Sequence, residues 1–160
     1  MFIKEIYNQN PKTISPTATI KDAVKRFVDE HINGFLVVDD KNKVLGVLAL
    51  QDVAAATLPH QFKKNVSMAA AMYRRGFFTQ EVEKLQDKPV STIMRKNFAT
   101  VSVNDNIMTV MADFLKNDLY IVPVLDEKKS LMGVITRSEI KHALAHTMSL
   151  PSRYTTRKGQ

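Results

Sequence analysis

The sequence predicts an α+β fold built from two copies of one βαββα unit with a helical insert between them. Three observations carry this: the chain matches itself at a single offset, each copy carries a capped amphipathic helix, and each continues into two short apolar runs around a polar turn. At an offset of 87, residues 3–57 align with 90–144 without a gap and twelve pairs are identical, among them Ile6/Ile93, Thr13/Thr100, Phe27/Phe114, Val37/Val124, Gly46/Gly133 and Val47/Val134. Roughly three or four identities would follow from average composition, so the chain is read as an internal duplication. A unit of about 55 residues buries too little surface to stand securely alone, and the copies are expected to pack on each other. The expected organisation is repeat 1 at 3–57, a helical insert at 58–89, repeat 2 at 90–147 and a basic, disordered tail at 148–160.

The elements follow in order. Thr13 to Ser15 and Thr100 to Ser102 are short leading strands. Thr19 and Asn106 are N-cap residues, each followed by apolar side chains at helical spacing: Ile20, Ala23, Val24, Phe27, Val28, and Ile107, Val110, Met111, Phe114, Leu115. Asp22, three residues after Thr19, completes a carboxylate version of the capping box. Phe35 to Val38 and Val44 to Leu48 flank the turn DDKNK, and Tyr120 to Leu125 and Leu131 to Ile135 flank DEKKS, so each copy holds a β-hairpin. A second helix starts near Gln51 and near Ser138. In the insert, His60 to Arg75 and Thr79 to Gln86 read as helical, interrupted at Gly76. Its Met68, Met72, Phe77 and Phe78 either cap an edge of the core or wall a ligand cleft.

Composition narrows the function. The 160 residues are 44% hydrophobic and 24% charged, an ordinary globular balance, with room for one compact domain or two very small ones. There is no Cys, which excludes disulfides, thiolate metal sites and cysteine nucleophiles. The N-terminus has no secretory pattern and no 18-residue apolar run occurs, so a cytoplasmic protein without membrane insertion is expected. The net charge of +7 is uneven: residues 58–90 and the last ten each contribute +3. Lys63-Lys64 and Arg74-Arg75 are isolated pairs and not a sustained basic face, which ranks nucleic acid below the other partners. No Walker loop, Gly-x-Ser-x-Gly or Gly-x-Gly-x-x-Gly is present, and no nucleophile-base pair stands out, so no enzyme is expected. Glu139, His142 and His146 share a helix face as a metal-ligand candidate, but HExxH is absent.

The leading stretches Ile3-Lys4-Glu5-Ile6-Tyr7 and Val90-Ser91-Thr92-Ile93-Met94, the strand Tyr120-Ile121-Val122-Pro123-Val124-Leu125-Asp126, and Gly133-Val134-Ile135-Thr136-Arg137-Ser138-Glu139-Ile140 together resemble a tandem pair of cystathionine-β-synthase-type (CBS) domains, a Bateman module, from residue 3 to about 147. Within 160 residues it resembles a stand-alone module. The resemblance implies two repeats packed pseudo-symmetrically through their sheets, clefts that take an adenine-containing ligand, dimerisation into a disc, and regulation of a partner protein. The implied ligands are AMP, ADP, ATP or S-adenosylmethionine, alone or with magnesium, with no obligatory cofactor. Such a ligand signals only by binding two arrangements of the repeats with different affinity.

The resemblance also implies site residues. Thr136 would touch phosphate, Glu139 would accept from ribose hydroxyls, and Arg137 would add a phosphate contact. Adenine would meet Thr100 and Val101 with Tyr120, Ile121 and Pro123, and in the first copy Thr13 and Ile14 with Phe35. Both copies depart from the family pattern: Glu139 stands where the family has Asp, which sets the carboxylate one methylene further out, and the first copy keeps Asp52 but has Ala49 in place of the hydroxyl, so the second cleft is favoured. Plain alternatives stay open. Thr136 and Glu139 also spell a capping box, Arg137 fits an exposed helix start, and Tyr120 fits a half-buried strand. The rival function is a degenerate pair that docks on protein and has lost its ligand.

Overall fold

The computed structural model describes residues 1–59, 65, 67, 74–117 and 121–154. The expectations for His60, Lys63, Lys64, Met68, Met72, Tyr120 and the last six residues lie outside these. The elements are β1 (Thr13–Ile14), α1 (Ile20–Glu30), β2 (Gly34–Val38), β3 (Val44–Ala49), α2 (Leu50–Ala56), α3 (Phe77–Leu85), β4 (Val101–Ser102), α4 (Ile107–Asn117), β5 (Ile121–Leu125), β6 (Leu131–Thr136) and α5 (Arg137–Thr147).

Local sequence chemistry sets each boundary. Thr19 Oγ1 accepts from Asp22 N (3.1 Å) and Asp22 Oδ2 accepts from Thr19 N (3.0 Å), the reciprocal cap expected at the start of α1. Asn106 caps α4 through Met108 N (2.9 Å). The first hairpin turns where Asp39 Oδ1 accepts from Lys41 N and Lys43 N (both 2.9 Å), with Asn42 at φ 61°. Asp126 repeats the device, accepting from Ser130 N at 2.7 Å. Gly76 marks the interruption in the insert: at φ 83° it takes the left-handed conformation before α3.

Two three-stranded sheets result, β1-β2-β3 and β4-β5-β6, each with one parallel and one antiparallel pair. They meet face to face at Leu36, Val47, Ile121 and Val134. On its other face each sheet has its own core. Ile14, Ile20, Ala23, Phe27, Phe35, Leu48 and Val53 form the first, and Val101, Val110, Val122, Val124, Ile135 and Ala143 belong to the second.

The packing units differ from the sequence repeats, because the leading segments are exchanged. Ile3 and Ile6 sit in the second core, and Val90 sits in the first. Ile3 N donates to Asp105 O and Lys4 N to Val103 O, while Val90 N donates to Ala18 O. Each segment also forms a bridge at the free edge of the opposite sheet, Asn8 to Val134 and Arg95 to Val47. This exchange ties the two halves by main-chain bonds as well as by the sheet interface.

One expectation is corrected. The tail does not begin loose at residue 148: Tyr154 is 8% exposed and belongs to the second core. The apolar faces of the first helices are wider than what they bury, since Val28 is 67% and its equivalent Leu115 87% exposed.

Candidate functional site

Strand β6 ends beside the start of β5, with Thr136 paired to Ile121, and α5 begins at the next residue. Thr136 is the N-cap. Its Oγ1 accepts from Ser138 N at 3.1 Å and donates to Glu139 Oε2 at 2.5 Å, and its N donates to the same oxygen at 2.8 Å. The capping-box alternative is therefore the geometry adopted. Glu139 is 1% exposed and its second oxygen is also engaged, accepting from an Arg153 guanidinium N–H at 2.9 Å. Arg153 donates with its other nitrogen to Ser138 Oγ. Arg137 is exposed at the first position of α5.

The equivalent position in the first repeat has the same plan with a different cation. Asp52 Oδ2 accepts from Ala49 N (2.7 Å), and Oδ1 accepts from Arg95 Nε (2.7 Å), so the acid of the first repeat is held by the leading segment of the second. This carboxylate keeps 15% exposure against 1% for Glu139. The two acids flank the pseudo-two-fold axis, where Gly34 and Ile121 are equivalent residues: a Cβ on Gly34 would lie 3.9 Å from Ile121 Cγ2.

The remaining candidates divide. Ile121 and Pro123 are buried on β5, Ile121 next to Thr136 and Pro123 opposite Val134. Thr100 is exposed and Val101 is buried against Val124, three residues further along β5, or about 10 Å from the capped end. There the two line a separate cleft of about 570 Å³ with Phe98, Ser102, Lys43 and Lys129. Thr13 offers its carbonyl to Arg26 at 2.6 Å, and Ile14 is core. Phe35 is not a cleft wall. It is 0% exposed, stacked on Phe27 at 5.0 Å with the Arg26 guanidinium 4.5 Å over its ring, so it faces the first core.

Sequence reasoning missed Arg95, Arg153 and Tyr154. Arg95 aligns with Asn8, so the duplication drew no attention to it, and Arg153 and Tyr154 lie in a polar stretch whose one signal was the aromatic ring. His142 and His146 do not join Glu139 in a metal set. Their rings stand edge-on to Tyr154 at 6.2 and 6.3 Å, and no metal-binding cluster of three His, Asp or Glu occurs among the described residues. Burial first, then the neighbouring positive charges of Arg153 and Lys141, lower the His142 pKa below its ordinary 6.5, with Glu139 opposing.

The duplicated units, the exchanged leading segments and the paired acids at the axis define a two-repeat module of CBS type. The CBS domain family model matches residues 3–58 and 90–146, and the chain belongs to this family. An uncharacterised protein of Methanocaldococcus jannaschii, MJ1232, is 25% identical over 138 residues, covering 86% of this chain. The chain spans only 36% of that relative's length. Among solved structures, CBSX2 from Arabidopsis thaliana superposes with a TM-score of 0.73 at 20% identity, over 94% of this chain and 98% of that one. The structure of CBSX2 in complex with AMP gives 0.69 at 20% identity over 92% and 98%. The CBS domain pair of MJ0100, in complex with 5′-methylthioadenosine and S-adenosyl-L-methionine, gives 0.67 at 21% identity, also over 92% and 98%. These likenesses show the CBS-pair fold. Among the described residues no helix is long and apolar enough to cross a membrane.

Proposed function

We propose that this CBS pair is a regulatory module that binds an adenine nucleotide or related adenosyl compound between its repeats and signals by a change of conformation or assembly. The observation that carries the reading is the Thr136–Glu139 turn, which sets a hydroxyl, a carboxylate and the start of an 11-residue helix beside Ile121 near the axis. Similar pairs in complexes with AMP and with S-adenosyl-L-methionine support the ligand class. AMP, ADP, ATP and S-adenosylmethionine are the candidates, with magnesium as an accessory to the phosphorylated ones. The second cleft is the principal site, because Ala49 supplies no hydroxyl in the first. CBS pairs are typically regulatory and not catalytic, and we assign no turnover; a cytoplasmic setting suits a sensor of such ligands.

A thermal-melt panel of these ligands, with and without magnesium, tests the reading. At about a hundred times its dissociation constant a ligand adds about 2.7 kcal/mol, which at this size raises Tm by roughly 5 to 10 °C. Thr136→Ala should shrink that ligand-induced shift more than Asp52→Ala does. A flat panel on folded protein would instead favour a protein-docking pair without a ligand, which the engagement of both carboxylates by arginines already recommends as the second reading.

A homodimer belongs to the same proposal. Val24 and Val28 on α1, and Met108 and Leu115 on α4, leave apolar surface uncovered on equivalent helices of both repeats, 38 to 87% exposed. A second copy would cover it. Sedimentation equilibrium should give twice the 18.1 kDa chain mass, and a monomer at micromolar concentration would remove this part of the proposal.

A further inference from the structure

Beyond α5 the chain reverses and runs back over its first turn. Ser149 at φ 59° makes the reversal, with Leu150 N donating to Ala145 O at 2.8 Å. Tyr154 then enters the second core, its hydroxyl donating to Ile6 O at 2.8 Å, and Arg153 reaches Glu139 and Ser138. The segment is thus anchored to the leading segment, to the helix and to the acid of the second cleft at once.

We propose that residues 150–154 are a strap that closes the second cleft over Glu139, and that a ligand engaging this carboxylate must lift Arg153 from it. The proposal rests on the adenosyl-ligand reading and adds its regulation. A ribose hydroxyl needs an acceptor, yet Glu139 is 1% exposed. Its Oε2 is held by Thr136, three residues away in the same turn, whereas Oε1 is held by a guanidinium that is 41% exposed and belongs to a different segment. Arg153 is the partner that can be exchanged. Tyr154 is the next residue, so a displaced Arg153 draws the buried ring and its bond to Ile6 with it. Occupancy of the cleft is thereby turned into a change at the surface that a partner can read. Linkage makes the coupling reciprocal: a docked strap weakens the ligand as much as the ligand weakens docking.

Calorimetric titration of the full chain with AMP and with S-adenosylmethionine tests this beside Arg153→Ala and Tyr154→Ala. Losing one charge-assisted bond to the acceptor from the competing state should tighten binding about tenfold in Arg153→Ala, and Tyr154→Ala, which removes the anchor to Ile6 O, should tighten it in the same direction. The chain contains no Trp, so Tyr154→Trp supplies a single tryptophan, whose emission maximum should move to the red on ligand addition. Equal or weaker affinity in variants that keep the native circular dichroism, or an emission maximum unmoved at saturation, overturns the strap. Absence of binding in every chain, variants included, removes the ligand reading itself and the strap's role with it, whereas binding by the variants alone supports both.

Discussion

Phe35→Ala should destabilise the protein by about 3–5 kcal/mol and lower Tm by roughly 10 °C or more, as read from thermal and urea unfolding. The ring is the largest fully buried side chain among the described residues, at 0% exposure. It stacks on Phe27 with planes 16° apart and carries the Arg26 guanidinium over its other face. Truncation removes the buried area, the ring pair and the cation–π contact together. It also removes packing that holds Arg26, which in turn fixes the β1 backbone through Thr13 O. A loss of under about 1 kcal/mol would mean that the ring is not core. Phe35→Leu, which keeps most of the volume, should leave ligand affinity unchanged, since the side chain faces away from the axis.

Gly133→Ala should cost about 3 kcal/mol or more, because the added methyl has no place to go. A Cβ there would stand 2.2 Å from Asn8 O and 2.6 Å from Tyr7 Cδ2. The obstacle is main chain. Asn8 and Val134 exchange both of their backbone hydrogen bonds at 2.9 Å beside this position, so relief requires the first leading segment to lift from the β6 edge. That segment carries Ile3 and Ile6 into the second core and Ile6 O to Tyr154. At the equivalent Gly46, the closest atoms are Arg95 O at 2.8 Å and the flexible Met94 side chain at 2.9 Å, so Gly46→Ala should be the milder substitution. Chemical denaturation of the two variants orders them. Equal and small losses would show that the leading segments are not held as close as the structure has them.

The elements were legible because their signals are local. Thr19 with Asp22, Asn106, and the aspartates opening each hairpin turn act on backbone groups within four residues, and the alternation of apolar runs gives the strands. The duplication added what one copy could not, since Gly46 and Gly133 recur at the same place. Thr136 and Glu139 were legible as a capping pair because they lie three residues apart on one turn. Phe35 was misplaced because a strand residue's face depends on which sheet surface meets the other repeat, and alternation does not say which that is.

By itself the sequence determined two βαββα units, their caps and turns, and an acid at the start of each second helix. The tertiary structure alone decided that the leading segments cross to the opposite repeat, that Arg95 reaches Asp52, and that Arg153 and Tyr154 close over Glu139. The reason is range. Capping and periodicity act over three or four residues, whereas the Asp52–Arg95 pair spans 43 positions and the Tyr154–Ile6 bond 148. Contacts that distant leave no periodic trace, and exist only once packing has brought the two ends of the chain together.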